Sequence, residues 1–198
     1  MKKVLLLFAA SVVLLACSSK SEKECCSATP PTKAQVVYEN IMSRRSIRAY
    51  KPDPVSKAQI DTLLQCGINA PSAMNAQTWQ VRAILNQDLM ARIREVNPNF
   101  SYAAPNLLVV ASEKNNGITK ADCGLLTENI LLMANAMGLG TVVLGNFGGI
   151  PQNPDAKDIV EKLGFPENYE ILFAIAVGYP AESPDARPRD ASKAVVIE

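Results

Sequence analysis

Three arginines stand within five positions in the stretch MSRRSIRAY, which runs from Met42 to Tyr50. Guanidinium groups remain charged at physiological pH and match phosphate oxygens with paired hydrogen bonds. Arg187 and Arg189 stand two positions apart near the C-terminus, and in an extended chain that spacing points both side chains the same way. On a chain with a formal net charge of +1, two arginine groups suggest one anion site, and two independent solvated patches are the alternative.

Histidine is absent from the chain. Its absence excludes Ser-His-Asp and Cys-His nucleophilic catalysis and the usual zinc sites. No group of carboxylates has the spacing of a metal site, and no side chain is assigned as catalytic. If the protein is an enzyme, its chemistry therefore belongs to a bound cofactor. The nearly neutral charge gives no reason to expect a nucleic-acid partner.

A run of small hydroxyl and amide side chains precedes the single tryptophan, in the stretch NAPSAMNAQTWQ from Asn69 to Gln80. Short amides and exposed backbone groups suit the edge of a heterocyclic ring, which offers both donors and acceptors. A polar turn before a strand is the structural alternative, and the stretch alone favours that alternative.

A glycine cluster, GLGTVVLGNFGG, runs from Gly138 to Gly149. It does not match the dinucleotide fingerprint, because Val143 stands at the third glycine position and the cluster follows a predicted helix instead of a strand. The chain also lacks the Gly-Lys-Ser/Thr of a P-loop. We expect the glycines to close a helix and to let a backbone turn lie close to a flat ligand.

The elements that must position these residues follow from apolar periodicity. A first helix is predicted to end near Ser43, and a second to begin after a Ser56 cap. A later helix is predicted to begin after an Asn153 cap, with proline at its first position. The remaining elements are predicted as strands 79–85, 106–112, 141–144 and 169–180 and helices 87–96 and 120–138. One sheet with helices packed on it makes this an α+β domain. Cys66 and Cys123 lie among apolar residues of predicted helices and are expected to be buried thiols.

The N-terminus has the features of a bacterial lipoprotein signal. A basic MKK precedes an apolar run that is shorter than the roughly 20 residues of a membrane span. Leu14-Leu15-Ala16 before Cys17 resembles the lipobox, in which the cysteine is lipidated. We therefore predict a signal peptide over 1–16, a flexible tether over 17–32 and a folded region over 33–198. Adjacent Cys25 and Cys26 are too close for an unstrained disulfide with each other, and either can pair with another chain.

Four motifs occur in a fixed order: R-R-S-x-R after a first helix, A-P-S-x-x-N-x-Q-x-W after a second, G-L-G-T…G after a long helix, and G-Y-P…R-P-R after the last strand. In this order the chain, from about Lys33 to the C-terminus, resembles the FMN-dependent nitroreductase family. The resemblance implies a nitroreductase-like fold with a central mixed or antiparallel sheet flanked by helices. It also implies an intertwined homodimer with two FMN sites at the interface, which would account for the wide apolar surface of the long helix.

The resemblance also implies roles for individual residues. It assigns the FMN phosphate and ribityl chain to Arg44, Arg45, Ser46 and Arg48, with closing phosphate contacts from Arg187 and Arg189. A segment that the partner subunit places over the isoalloxazine ring corresponds to Pro71, Ser72, Ala73 and Asn75. The turn that approaches flavin N5 corresponds to Leu144, Gly145 and Asn146.

Two departures from the family pattern concern the substrate. Thr78 stands where the family often has proline before the tryptophan, and the chain is short between Ser112 and Lys120, where larger relatives insert helices that form a lid. A shortened lid would leave the flavin face open. Asn97 and Asn99 are considered as pocket residues without being assigned.

The resemblance implies an FMN oxidoreductase that works by alternating access. NAD(P)H delivers hydride and leaves, and a nitroaromatic, a quinone or a similar conjugated acceptor then takes the electrons. A lipid anchor places the protein at the bacterial cell envelope, facing the periplasm or cell surface, whereas NAD(P)H is cytosolic. The alternatives are therefore an FMN protein reduced by a membrane electron-transfer partner, a non-catalytic binding or scaffold lipoprotein that keeps the fold, and a specialised reduction such as dehalogenation.

Overall fold

Side-chain caps set the starts of the first three helices in the computed structural model, which describes residues 30–198. Thr32 and Gln35 form a capping box at the first helix, and Ser56 and Gln59 form another at the second. The described helices are α1 (Lys33–Ser43), α2 (Lys57–Ile68), α3 (Gln87–Val96), α4 (Gly117–Ala136) and α5 (Lys157–Leu163). The predicted signal peptide, Cys17, Cys25 and Cys26 lie outside the described residues.

Four strands form one antiparallel sheet in the order β1-β2-β4-β3. They are β1 (Trp79–Ile84), β2 (Asn106–Glu113), β3 (Gly140–Leu144) and β4 (Tyr169–Gly178). Short 3-10 segments connect them at Ala73–Asn75, Pro98–Phe100, Gly145–Gln152 and Pro154–Ala156, and a last one spans Ala191–Lys193.

Helices and connecting segments cover both faces of the sheet. They bury the central strands, which are apolar at successive positions and so present apolar side chains to both faces. In β2, Leu107 and Val109 face one core while Leu108 and Val110 face the other, as the two-residue period of a strand requires. The first core is completed by α3, α5 and the Gly145–Gln152 segment, and the second by α2 and α4. The α+β prediction with one helix-covered sheet is confirmed.

The largest differences from the predicted elements concern the ends of the long helix, the start of the last helix and one thiol. Asn153 caps the 3-10 segment Pro154–Ala156, and α5 begins only at Lys157. α4 begins at Gly117, three residues before the predicted start, and ends at Ala136, where Gly138 follows with a φ of +72°. Cys123 is buried as predicted, but Cys66 is only partly buried because it lies at the edge of the α1–α2–α4 surface. None of the helices in residues 30–198 is long and apolar enough to cross a membrane.

Candidate functional site

The first arginine group is held beside strand β3. Ser46 forms a parallel bridge with Thr141, and the backbone nitrogen of Ile47 donates to the Thr141 carbonyl at 2.9 Å. The strand can lie this close because position 140 is glycine: a Cβ there would stand 2.9 Å from the Ile47 side chain. The residue type at 140 therefore permits the approach of the arginine segment, which we define as residues 44–51.

The other side of the arginine segment is bonded to the chain that follows β4. Lys51 donates from its backbone nitrogen to the Tyr179 carbonyl at 2.9 Å, and Ala181 donates to the Ala49 carbonyl at the same distance. Residues 179–189, the C-terminal strap, thus begin alongside the arginine segment. This pairing explains how arginines more than a hundred residues apart in sequence meet at one place.

An arginine-lined cleft of about 350 Å³ lies between the arginine segment and the C-terminal strap. Its walls carry five arginines and two carboxylates, Glu128 and Asp185. The excess of positive charge suits an anion. The predicted site residues that line it are Arg44, Arg45, Ser46, Arg48, Arg187 and Arg189. The structure therefore brings together both predicted arginine groups.

Arg44 and Arg45 are partly buried at the base of this cleft. The Arg44 guanidinium lies 3.6 Å from the Glu128 carboxylate of α4. Arg45 donates from Nη1 to the Met42 carbonyl at 2.7 Å and to the Arg44 carbonyl at 2.9 Å. Its Nε is buried and has no hydrogen-bond partner among residues 30–198. A buried cationic donor without a partner is costly, so this atom is suited to receive an anionic ligand.

The remaining arginines are exposed at the rim. Arg48 donates from Nη1 to the Ser46 carbonyl at 3.3 Å. Arg187 and Arg189 make no ion pair with any described residue. Guanidinium groups without fixed partners remain available to a bound phosphate, which they can contact through paired hydrogen bonds.

Strand β3 leads from this cleft to the predicted Leu144-Gly145-Asn146 turn. At about 3.3 Å per residue, Gly145 lies roughly 13 Å along the chain from Thr141. Leu144 is buried, whereas Gly145 and Asn146 are exposed, and a Cβ added at Gly145 would meet no atom within 4 Å. Asn146 donates from Nδ2 to the Asn99 carbonyl at 3.3 Å. The open backbone at Gly145 therefore leaves room for a flat ligand, and Asn99 lies beside it.

The turn over residues 71–77, called here the 71–77 turn, does not line the arginine-lined cleft of its own chain. Met74, Asn75 and Gln77 adopt left-handed φ values of 53°, 56° and 51°. Such values cost free energy in residues other than glycine and cluster at functional sites. The Met74 side chain is 95% exposed. The predicted residues Pro71, Ser72, Ala73 and Asn75 thus form a strained, outward-facing turn that is separate from the predicted phosphate residues within one chain.

A buried carboxylate holds this turn. The backbone nitrogen of Ala73 donates to both carboxylate oxygens of Asp122, at 3.2 and 3.3 Å, and Asp122 is nearly inaccessible on α4. Thr78 bonds the Thr119 hydroxyl at 2.8 Å, one turn before Asp122 on the same helix. Asp122 was not predicted from the sequence, because one carboxylate inside an apolar helical pattern gives no sign of its distant partner.

An apolar groove of about 520 Å³ lies between α1, α2 and α4. Helix α1 has no buried residue in this chain, and its apolar side chains are largely exposed. They are Val36, Val37, Tyr38, Ile41 and Met42. A patch of this kind is typical of an interface.

The fold and the cleft define an α+β protein with an arginine-lined cleft beside the β3 edge of a four-stranded sheet. The chain belongs to the nitroreductase family, whose sequence profile matches residues 41–99 and 94–179. The predicted family and fold are thereby confirmed, and the homodimer and the lipid anchor remain predictions.

Known proteins similar to this chain span most of its folded region. A protein of Methanothermobacter thermautotrophicus, provisionally named NADH dehydrogenase/NAD(P)H nitroreductase, is 33% identical over 157 residues, covering 76% of this chain and 81% of that protein. The NADPH-flavin oxidoreductase of Vibrio harveyi is 28% identical over 178 residues, covering 81% and 72% of the two chains. The crystal structure of a Bacteroides fragilis nitroreductase with bound FMN matches with a TM-score of 0.73 at 26% identity, covering 82% of this chain and 98% of that one.

Proposed function

We propose that the protein is an FMN-dependent oxidoreductase of the nitroreductase type, with NAD(P)H as its electron donor. The observation that carries the proposal is the arginine-lined cleft, which five arginines line and where the buried Nε of Arg45 has no hydrogen-bond partner within residues 30–198. A relative is an NADPH-flavin oxidoreductase, and the similar Bacteroides fragilis structure contains bound FMN. Both support FMN as the cofactor.

The residues of the cleft fit the phosphate end of FMN. Guanidinium groups suit a phosphate dianion because each can offer two parallel N–H donors. We assign the phosphate and ribityl contacts to Arg44, Arg45, Ser46, Arg48, Arg187 and Arg189. Gly145 has open space above its backbone, so we assign the Leu144–Asn146 turn to the flavin ring.

When bound, FMN would supply the redox chemistry of a hydride transfer. The protein's own residues bind and orient it, and no described side chain needs to act as an acid or base. The connection between β2 and α4 contains only Lys114, Asn115 and Asn116. Because so short a connection forms no lid, we propose that the acceptor is a flat conjugated molecule, such as a nitroaromatic or a quinone, that reaches an open face.

The 71–77 turn is proposed to act on a second copy of the chain. It does not line the cleft of its own chain and is largely exposed, and α1 has an exposed apolar face beside the apolar groove. A homodimer would bury that face and place the turn of one subunit over the flavin of the other. We propose that the dimer is anchored by lipidated Cys17 at the bacterial cell envelope.

The test is to purify the protein and measure its flavin content and its reduction. We expect a yellow protein whose released cofactor is FMN and whose absorbance near the flavin band is bleached by NADH or NADPH. A folded dimer that neither contains FMN nor takes it up would contradict the proposal.

The predicted lipoprotein leader favours a second candidate, in which a membrane electron carrier replaces NAD(P)H as the donor. Parallel stopped-flow reduction by NADH, NADPH and a quinol separates the two. Fast reduction by quinol alone supports the membrane donor, and fast reduction by a nicotinamide nucleotide supports the first proposal.

A further inference from the structure

Glu182 joins the two halves of the arginine-lined cleft. Its Oε1 accepts hydrogen bonds from the backbone nitrogens of Arg48 and Ala49, the second at 3.2 Å. Glu182 belongs to the C-terminal strap, five residues before Arg187. The two backbone nitrogens that donate to it belong to the arginine segment. The Glu182 side chain therefore links the arginine segment, which carries one arginine group, to the C-terminal strap, which carries the other.

These two bonds fill a gap in the backbone pairing of the arginine segment. Ile47 donates to Thr141 on β3, and Lys51 donates to Tyr179 on the strap. Of the three amides between them, those of Arg48 and Ala49 have no backbone acceptor among the described residues and donate to Glu182 instead. A carboxylate that accepts two N–H donors forms stronger bonds than a neutral acceptor.

The negative charge of Glu182 disfavours phosphate binding at the neighbouring arginines. A carboxylate beside a phosphate site repels the phosphate, since like charges at short range raise the free energy of binding. A glutamate at position 182 favours phosphate binding only if its bonds to the Arg48 and Ala49 amides stabilise the bound state by more than its charge destabilises it. Asp185 lines the arginine-lined cleft itself, whereas Glu182 lines the adjoining pocket beside Arg44 and Arg45. Asp185 therefore brings a negative charge to the cleft without the two bonds that Glu182 makes.

We infer that Glu182 is a positioning residue for the phosphate end of the cofactor, an inference that rests on the proposed FMN function. By bonding Arg48 and Ala49, it fixes the arginine segment against the C-terminal strap. The arginines of the two halves are thereby held around one cleft before the cofactor binds. Such preorganisation raises affinity because less order is lost on binding.

The inference is tested by measuring the affinities of the apoprotein for FMN and for riboflavin, which lacks the phosphate. Glu182→Ala removes both bonds and should lower the ratio of FMN to riboflavin affinity about tenfold, the effect of about 1.4 kcal/mol. Glu182→Gln keeps an oxygen acceptor and should restore most of the ratio. Asp185→Asn removes a negative charge from the cleft wall without removing either Glu182 bond and should raise the ratio.

A second measurement does not need the cofactor. Hydrogen exchange of the apoprotein should show faster exchange at the amides of Arg48 and Ala49 in Glu182→Ala than in the unmodified protein. If Glu182→Ala keeps or raises the affinity ratio, or if these amides exchange at unchanged rates, the positioning role is wrong. If the unmodified protein fails to bind FMN while the amides respond as expected, the proposed function has failed and Glu182 joins the two segments for another ligand.

Discussion

The backbone nitrogen of Ala73 lies 3.2 and 3.3 Å from the two carboxylate oxygens of Asp122, a residue 49 positions away on helix α4. This bond joins the strained 71–77 turn to the longest helix of the domain. A turn with three non-glycine residues at positive φ persists only if its surroundings hold it. Asp122 is the buried side chain that does so.

Replacing Asp122 should therefore loosen the turn and destabilise the domain. Asp122→Ala removes a hydrogen bond to a charged group in a buried position, so we expect a loss of about 2 kcal/mol in the free energy of unfolding. Urea unfolding measures this loss. Asp61→Ala is the matched control, because Asp61 pairs with Lys57 on the exposed surface of α2 and such pairs contribute less than about 1 kcal/mol. Equal losses in the two variants would show that the Asp122 bond does not hold the turn.

Removing one arginine from each group should release FMN from a folded protein. The double variant Arg44→Ala with Arg189→Ala loses charge-assisted contacts on both sides of the phosphate, and we expect FMN affinity to fall by about a hundredfold or more. Stability should change by less than about 1 kcal/mol, because the Arg44–Glu128 pair is long and partly exposed. Fluorescence titration and thermal unfolding measure the two quantities.

The control for the arginine variant is Arg94→Ala, since Arg94 lies on α3 and does not line the cleft. It should bind FMN as the unmodified protein does. If the double variant also binds FMN normally, the cleft is not the phosphate site. The same result would mean that the five arginines form a solvated surface cleft and do not bind the cofactor.

Residues that act through local patterns were predictable from the sequence. The Ser56 cap and the buried run of β2 follow from spacing within a few residues, and both predictions are confirmed. The arginine groups were recognised by residue type and by their order with the other motifs. The structure then placed them on one cleft.

Residues that act across the sequence were not predictable. Asp122 and Glu182 resemble ordinary surface carboxylates in sequence, because their partners lie 49 and more than a hundred positions away. Periodicity carries no information about which distant amide a carboxylate meets. Cys66 was expected to be buried for a related reason: its helical neighbours are apolar, but part of the surface beside them is open in this chain.

Adding a side chain at Gly140 should push the arginine segment away from β3. In Gly140→Ala the new Cβ would stand 2.9 Å from three atoms of Ile47, and overpacking of this kind costs about 1–3 kcal/mol. FMN affinity should fall together with stability, since Ser46 and its neighbours move. Gly117→Ala is the control, because a Cβ there meets nothing within 4 Å and should leave stability within about 0.5 kcal/mol. Unchanged stability in Gly140→Ala would contradict the close approach.

Alkaline pH should destabilise the domain through Cys123. Burial, with a smaller contribution from the negative charge of Asp122, raises the pKa of the Cys123 thiol from 9.0 to about 11. The Cys123 thiol of the unfolded chain loses its proton at lower pH than the thiol of the folded chain. Its contribution to the free energy of unfolding is therefore fully present below pH 9 and is lost as the pH rises to about 11. A shift of this size corresponds to about 2–3 kcal/mol. Urea unfolding at several pH values should show a shallower decline in Cys123→Ala than in Cys66→Ala, which keeps the buried thiol. Parallel declines would contradict the assignment.

The proposed exchange of the 71–77 turn between subunits can be tested by mixing two defective chains. One chain carries Arg44→Ala with Arg189→Ala, and the other carries Ser72→Ala with Asn75→Gly, where glycine keeps the positive φ of Asn75 without strain. Each homodimer should lack FMN, because every site in it has one defect. In the mixed dimer, one site receives an intact cleft from one chain and an intact turn from the other, while the second site receives both defects.

Mixed dimers isolated through two different affinity tags should therefore hold one FMN each, measured by absorbance against protein concentration. The recovery follows from geometry alone, since neither chain supplies a complete site by itself. A turn that acted on the cleft of its own chain would leave one defect in both sites of the mixed dimer. The mixed dimer would then remain as empty as the two homodimers, and the partner-subunit assignment of Pro71–Asn75 would be wrong.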